Sequence, residues 1–168
     1  MATTIGHLAV RDTGPADRSG EVIVLWPSIL ADHAIYQAQV RALGDRYRLL
    51  LIDGPGHGAS GPSPGPFSMR SCADALAAVL DAAAVRGPVV VVGTSWGGLV
   101  AGEFALAHPR RTAGIVMLNT PVLPANPGFA DRFVTWGARH LHGTALYRMG
   151  VARAFFLPET RAHADQTV

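Results

Sequence analysis

Four short apolar runs limit what this chain can fold into: EVIVLW (21–26), YRLLLID (47–53), PVVVVG (88–93) and AGIVML (113–118). None alternates apolar with polar side chains, and continuous runs of this length are how strands read when both faces are covered inside a parallel sheet. Helical patterns separate them. HAIYQAQVRAL (33–43) runs to a C-cap at Gly44, and residues 68–86 start at an N-cap, Ser68, and place Cys72, Leu76, Val79, Leu80 and Ala83 on one face. A third helix is expected from about Ser95 to Ala107, stopping before Pro109. IGHLAVRD (5–12), ahead of the turn-rich TGPADRSG, reads as a further strand, antiparallel at the start of the sheet. The order βαβαβαβ predicts a mostly parallel, doubly wound α/β sheet.

Composition narrows the class. With 168 residues, 49% hydrophobic and 15% charged, the chain can bury a sizeable single core and is too short for two full domains. Its 14 basic side chains, all arginine, exceed the 12 acidic ones by two, a surplus too small and too scattered to suit a nucleic-acid backbone or a membrane surface. No apolar run approaches the roughly 18 residues of a membrane span. MATTIGHLAV lacks the basic and long apolar regions of a secretion signal, so the expected setting is cytoplasmic. The one cysteine, Cys72, rules out an intrachain disulfide and reads as a small buried hydrophobe on its helix face. Nothing in the pattern calls for a metal or a cofactor.

The chemistry starts at GTSWG (93–97). A serine nucleophile has to be lifted clear of the sheet, and a tight strand-to-helix turn does this only where the flanking positions carry almost no side chain. Gly93 and Gly97 meet that need. The same turn sets Ser95 at a helix N-terminus, where backbone N–H groups face any negative charge that develops beside it.

GTSWGG after VVVV, together with DGPGHGAS (53–60) after YRLLLI, resembles the α/β-hydrolase fold superfamily, especially its esterase, lactonase and haloperoxidase-like branch. The second motif matches that family's D-x-P-G-H-G-x-S turn at Asp53, Pro55, Gly56, His57, Gly58 and Ser60, and 42 residues separate Asp53 from Ser95. The likeness covers about residues 5–120. It implies that Ser95 is the nucleophile and that an oxyanion loop follows EVIVLW, with the backbone N–H groups of Ser28 and Trp96 as donors. That loop departs from the family's usual His-Gly: here it reads Trp26, Pro27, Ser28, and Pro27 has no N–H to give. It is more similar to the serine-containing loop of 3-oxoadipate enol-lactonase relatives.

A serine nucleophile needs a base oriented by an acid, and the chain has seven histidines. The resemblance implies that His57 holds the family turn and is not the base. His108 ends the helix that follows Ser95, about 18 Å away along its axis, where it would cap carbonyls. His7 and His33 read as structural or exposed. The family order is serine, acid, histidine, the last two each after a further core strand. Beyond AGIVMLNTP only the marginal RAFFLP (153–158) looks strand-like. The segment instead reads as helices rich in apolar residues, with Phe129, Phe133, Trp136, Phe155 and Phe156 as candidates for an apolar pocket, and it resembles the start of the family's cap. His140, His142 and His163 are then cap residues. His163 as base and Asp131 or Asp165 as acid are the poorer alternatives, and Asn119, where some relatives keep the acid, is an amide without charge.

The expectation is therefore a core over 1–120 and the beginning of a cap over 121–168, an N-terminal portion of a longer hydrolase of small esters or lactones that lacks its catalytic acid and histidine. Such a portion would turn over weakly or not at all and would leave 113–118 as an open sheet edge, prone to self-association. Two other readings stand beside it: a decayed or non-catalytic binding module, suggested by the missing triad members, and cofactor-free perhydrolysis by the same triad.

Overall fold

The structure, a computed structural model, describes residues 1–15 and 20–121, which fall within one compact unit, Met1–Val122. The segment read as a cap lies outside the described residues from 122 onward. Strands β1 (Ala2–Thr3) and β2 (Gly6–His7) pair as a small hairpin. Strands β3 (Val10–Thr13), β4 (Val22–Trp26), β5 (Arg48–Ile52), β6 (Val89–Thr94) and β7 (Thr112–Leu118) form one sheet in the order β3-β5-β4-β6-β7. Only β3, paired with β5, runs antiparallel. The expected doubly wound sheet is present.

Helix α1 (Gln37–Leu43) covers one face, where Tyr36, Val40 and Leu43 meet Leu25, Leu49 and Leu51. Helices α2 (Met69–Ala82) and α3 (Trp96–Ala107) cover the other, where Cys72, Leu76, Val79, Leu80, Val100 and Phe104 pack on Val24, Trp26, Leu50, Ile52, Val89 and Val91. β5 is buried along its whole length, as its continuous apolar run requires. Cys72 is fully buried in this core, and burial pushes its thiol up to about 12, which makes it inert.

The strand order carries a functional consequence. From β4 the chain moves to β5 on one side, crosses back through α2 to β6 on the other, and the helices after β4 and β6 lie on opposite faces. A sheet that reverses in this way opens a crevice beyond the carboxyl ends of the two strands flanking the switch, here β4 and β6.

Three expectations need correction. The strand over 5–12 is broken: 6–7 belongs to the hairpin and only 10–13 joins the sheet, because the N–H of Ala9 is taken by the Ser60 hydroxyl at 2.8 Å. The helix over 33–43 opens with a 3-10 turn, His33–Tyr36, started by Asp32, whose carboxylate accepts the N–H of Ala34. The helix over 68–86 stops at Ala82. Ser68 caps its start as expected, in a reciprocal box with Ser71, but its end is a Schellman turn in which Val85 N–H reaches Leu80 O at 2.9 Å and Ala84 N–H reaches Asp81 O at 3.1 Å. Ala84 holds the left-handed position at φ 56, where glycine usually sits. Just below it, the guanidinium of Arg48 ties the Ala83 carbonyl to Asp12 of β3, both at 2.8 Å.

β7 stands at one edge of the described sheet and carries exposed Ile115, Val116 and Leu118.

A Cβ in the left-handed region costs roughly 1–2 kcal/mol, and glycine gives part of that back as chain entropy. Ala84→Gly is therefore expected to stabilise the fold by about 0.5–1 kcal/mol, read as a higher urea midpoint at unchanged slope. A lower midpoint would show that the turn is unstrained.

Candidate active site at the ends of β4 and β6

β6 ends at Thr94, and Ser95 stands alone between strand and helix with φ 53 and ψ −113. A serine before a helix ordinarily turns its hydroxyl onto the first-turn amides. Ser95 does not, since no side-chain capping bond forms, so its Oγ is left uncommitted to the helix. The unusual backbone is fixed from two directions: the Ser95 N–H donates to Leu118 O of β7 at 2.7 Å, and the Ser95 carbonyl accepts from Gly98 N–H at 3.0 Å.

Gly93 and Gly97 earn their places sterically. A Cβ on Gly93 would overlap the Gly97 carbonyl, and one on Gly97 would overlap the Trp26 carbonyl and lie 2.7 Å from that of Pro27. The first turn of α3 is thereby pressed against the end of β4, and the Pro27–Ser28 loop lies beside the helix N-terminus. The N–H of Trp96, the first helical residue, has no carbonyl one turn behind it to bond. Ser28 opens a turn in which Ala31 N–H bonds the Ser28 carbonyl at 3.2 Å and Leu30 sits at φ 64.

Buried Tyr36 links the two strand ends. Its hydroxyl donates to Trp26 O at 2.8 Å and so must accept from the Thr94 hydroxyl, 2.9 Å away. Burial raises its pKa, which keeps it a neutral donor. The Trp96 ring is bracketed by Trp26, edge-on at 5.8 Å, and by the rings of His57 and Phe67 at 5.6 and 6.4 Å.

The turn at 53–60 is a structural knot. Asp53, 1% exposed, accepts the N–H and the Nδ1–H of His33 at one oxygen, 2.8 and 2.9 Å away, and Ala59 N–H at the other, 2.9 Å away. The Ser60 hydroxyl donates to the Asp53 carbonyl at 2.7 Å while accepting from Ala9. His57 donates Nδ1–H to the Pro55 carbonyl at 2.8 Å.

Among the described residues no imidazole is hydrogen-bonded to Ser95. His7 meets the chain's amino terminus at 3.0 Å, His33 meets Asp53, and His108 pairs through Nε2 with Asp74 of α2 at 2.9 Å. The expectation that the His108 side chain caps carbonyls is thus corrected: Asp74 holds it instead. Asn119 follows β7, exposed and at φ 49. His140, His142, His163, Asp131 and Asp165 lie outside the described residues, as do the five aromatic residues read as a pocket. No group of three His, Cys, Asp or Glu side chains among the described residues is placed to hold a metal ion, and no described helix is long and apolar enough to cross a membrane.

Sequence reasoning passed over several residues that this geometry uses. Gly98 is one: a Cβ there would overlap the Thr120 hydroxyl, and the doubled glycine of GTSWGG was its only signal. Tyr36 is another, and His33 reads in the sequence only as structural or exposed, without its carboxylate partner. Each depends on a partner at least 20 residues away, which no local pattern encodes.

The sequence profile of the alpha/beta hydrolase fold matches residues 21–160. The cis-3-alkyl-4-alkyloxetan-2-one decarboxylase of Xanthomonas campestris pv. campestris is 30% identical over 124 residues, covering 69% of this chain and 41% of that protein. A hydrolase from Pseudomonas aeruginosa PA01 superposes with a TM-score of 0.85 at 27% identity, over 99% of this chain and 64% of its own. A thermophilic esterase from Thermogutta terrifontis gives 0.78 at 28% identity, over 96% and 61%. The chain therefore spans under half the length of that curated relative and under two thirds of either solved structure. With a profile match over most of its residues, a sheet of the matching topology and a glycine-framed serine at the switch point, the chain belongs to the α/β hydrolase fold family.

Proposed function

We propose that Ser95 is the nucleophile of a serine hydrolase acting on a small ester or lactone. The observation that carries this reading is the Ser95 backbone itself, left-handed at φ 53 with its hydroxyl withheld from the helix amides. Strain of roughly 1–2 kcal/mol at a single serine is retained only where neighbouring packing over-determines it, and such strain concentrates at functional sites. In this reading Ser95 Oγ attacks the carbonyl carbon, the amides of Ser28 and Trp96 receive the oxyanion, and an acyl-enzyme forms that water then hydrolyses. The relatives support the substrate class: one is named for an oxetan-2-one, a four-membered lactone ring, and one structure is an esterase.

The proton acceptor and its acid belong, in this proposal, to residues other than those described, within a cap beginning at 121 or in core that follows it. His163 and Asp131 are the candidates inside this sequence. The 168 residues alone are then weak catalysts. A non-catalytic, decayed form is the competing reading, and the absence of an imidazole bonded to Ser95 among the described residues is what favours it. A cytoplasmic setting fits the single cysteine. Self-association through β7 belongs to the same proposal, supported by its position at the edge, its lack of any charged residue and its exposed Ile115, Val116 and Leu118.

Two experiments test these statements. Reading the frame past codon 168 should reveal two further strands, an aspartate and a late histidine, and a fluorophosphonate should then label the whole protein at Ser95 and leave Ser95→Ala unlabelled. A stop at codon 168, or labelling elsewhere, favours the decayed form, and rapid ester cleavage by the 168 residues alone, lost in Ser95→Ala, would refute the missing base. For the edge, Val116→Lys should shift the 168-residue chain toward monomer in size-exclusion chromatography; an unchanged profile removes β7 as the contact.

A further inference from the structure

We infer that His33, acting through Asp53, is a positioning residue that holds a strained oxyanion loop in its working shape. This rests on the proposed function, and two independent features of the loop between β4 and α1 support it. The first is strain inside the loop. Ala31 N–H closes a four-residue turn on the Ser28 carbonyl with Leu30 in the third position at φ 64. A turn of this kind requires a left-handed residue there, a place for glycine or asparagine, and a branched side chain adopts it at a cost. In the two common turn types the peptide between Ile29 and Leu30 points in opposite directions, so the choice that strains Leu30 decides which way the Leu30 amide faces and, through the Ser28 carbonyl that closes the turn, constrains Ser28.

The second feature is a clamp at the loop's far end. Two N–H groups of one residue, the backbone and Nδ1 of His33, converge on the same buried oxygen of Asp53, while Ala59 N–H fills the other. His33 is itself partly open to solvent, its side chain 27% exposed against 2% for Asp53. A buried carboxylate with three donors is a rigid anchor, since each lost donor leaves charge unsatisfied in the interior. Asp53 in turn is fixed to the sheet by its own N–H to Ala9 O and by Ser60. The loop is thus pulled toward relaxation by Leu30 and held by His33. Removing the ring should let the turn relax, and the amide of Ser28 should leave the oxyanion position without any change in the elbow.

The test combines amide hydrogen exchange over residues 28–31 with the kinetics of fluorophosphonate inactivation in the whole protein. His33→Ala should speed exchange in the loop about tenfold and lower the maximal inactivation rate by a similar factor, with the inhibitor's half-saturating concentration unchanged. His33→Asn, whose side-chain amide still donates to Asp53, should recover most of both. Adding Leu30→Gly to His33→Ala should recover two- to fivefold, because glycine removes the strain that the clamp opposes. Loop exchange unchanged in His33→Ala would overturn the clamp. Faster exchange with an unaltered inactivation rate would overturn its positioning role, as would a double variant no better than His33→Ala alone. If wild-type protein is never labelled at Ser95, the hydrolase reading fails and the positioning role falls with it, while the exchange arm still decides on the clamp.

Discussion

The Cα of Gly97 lies against the carbonyl oxygens of Trp26 and Pro27, and the arrangement of the site follows from that approach. β4 and β6 are adjacent parallel strands, with Trp26 in register with Gly93. Their following helices leave toward opposite faces, which by itself would splay the two strand ends apart. The bare backbone at 97 lets the first turn of α3 settle onto the end of β4, so the Ser28 loop and the Trp96 amide become neighbours. Tyr36 fastens the same junction from the α1 side by bonding Trp26 O and the Thr94 hydroxyl. Helix, loop and Ser95 are held by close backbone contacts and by the Tyr36 hydroxyl, which tolerate almost no displacement.

Strain is distributed around this junction and not through the core. Leu30, Ala84, Ser95 and Asn119 hold left-handed backbones among the described residues, and three of the four are at carboxyl ends of strands near the switch point. Asparagine adopts this region readily, whereas leucine and serine do so at roughly 1–2 kcal/mol each. Against a typical folding free energy of about 5–15 kcal/mol that is a substantial fraction. It persists because the elements beneath are well packed: β5 is buried throughout, and α2 presents an uninterrupted apolar face to it. Ser95 is further secured by β7, whose Leu118 carbonyl takes its N–H and whose neighbour Thr120 fills the space over Gly98.

How much of this the sequence discloses depends on the range of the interaction. Buried parallel strands announce themselves because four consecutive residues of β5, Leu49 to Ile52, face the core on both sides and are apolar, and the glycine pair around Ser95 is visible because two close backbone approaches fall within five residues. The end of α2 is hidden because Ala84 does glycine's work, leaving no residue-type signal at the stop. The break between β2 and β3 is hidden because the competitor for Ala9 N–H is a hydroxyl 51 residues on. His33 is the instructive case: as a lone histidine after a loop it looks incidental, and only the fold brings a buried carboxylate to its ring. The motif D-x-P-G-H-G-x-S is readable as a family mark, yet the reason for its Asp and Ser, a knot joining three loops, belongs to tertiary structure.

If the amides of Ser28 and Trp96 receive the oxyanion, the direction from which a base must come is already determined. β4 and β7 flank β6 on opposite sides, and the Ser28 loop stands at the end of β4. A carbonyl attacked by Ser95 would turn its oxygen toward that loop, and its leaving group would face away from it. A base that takes the Ser95 proton and later delivers it to the leaving group has to stand between the two, on the side of β7. The other approaches are filled: the ring of Trp96 is backed by Trp26, His57 and Phe67, and the imidazoles of His33 and His57 each have a nitrogen committed to a structural bond. Among the described residues the side left unfilled is the one bordered by Asn119 and Thr120, beyond the last described strand. On that reading Ser95 is presented by a stretch from β4 to β7, and its activation would enter across the edge of β7 that no other described strand pairs.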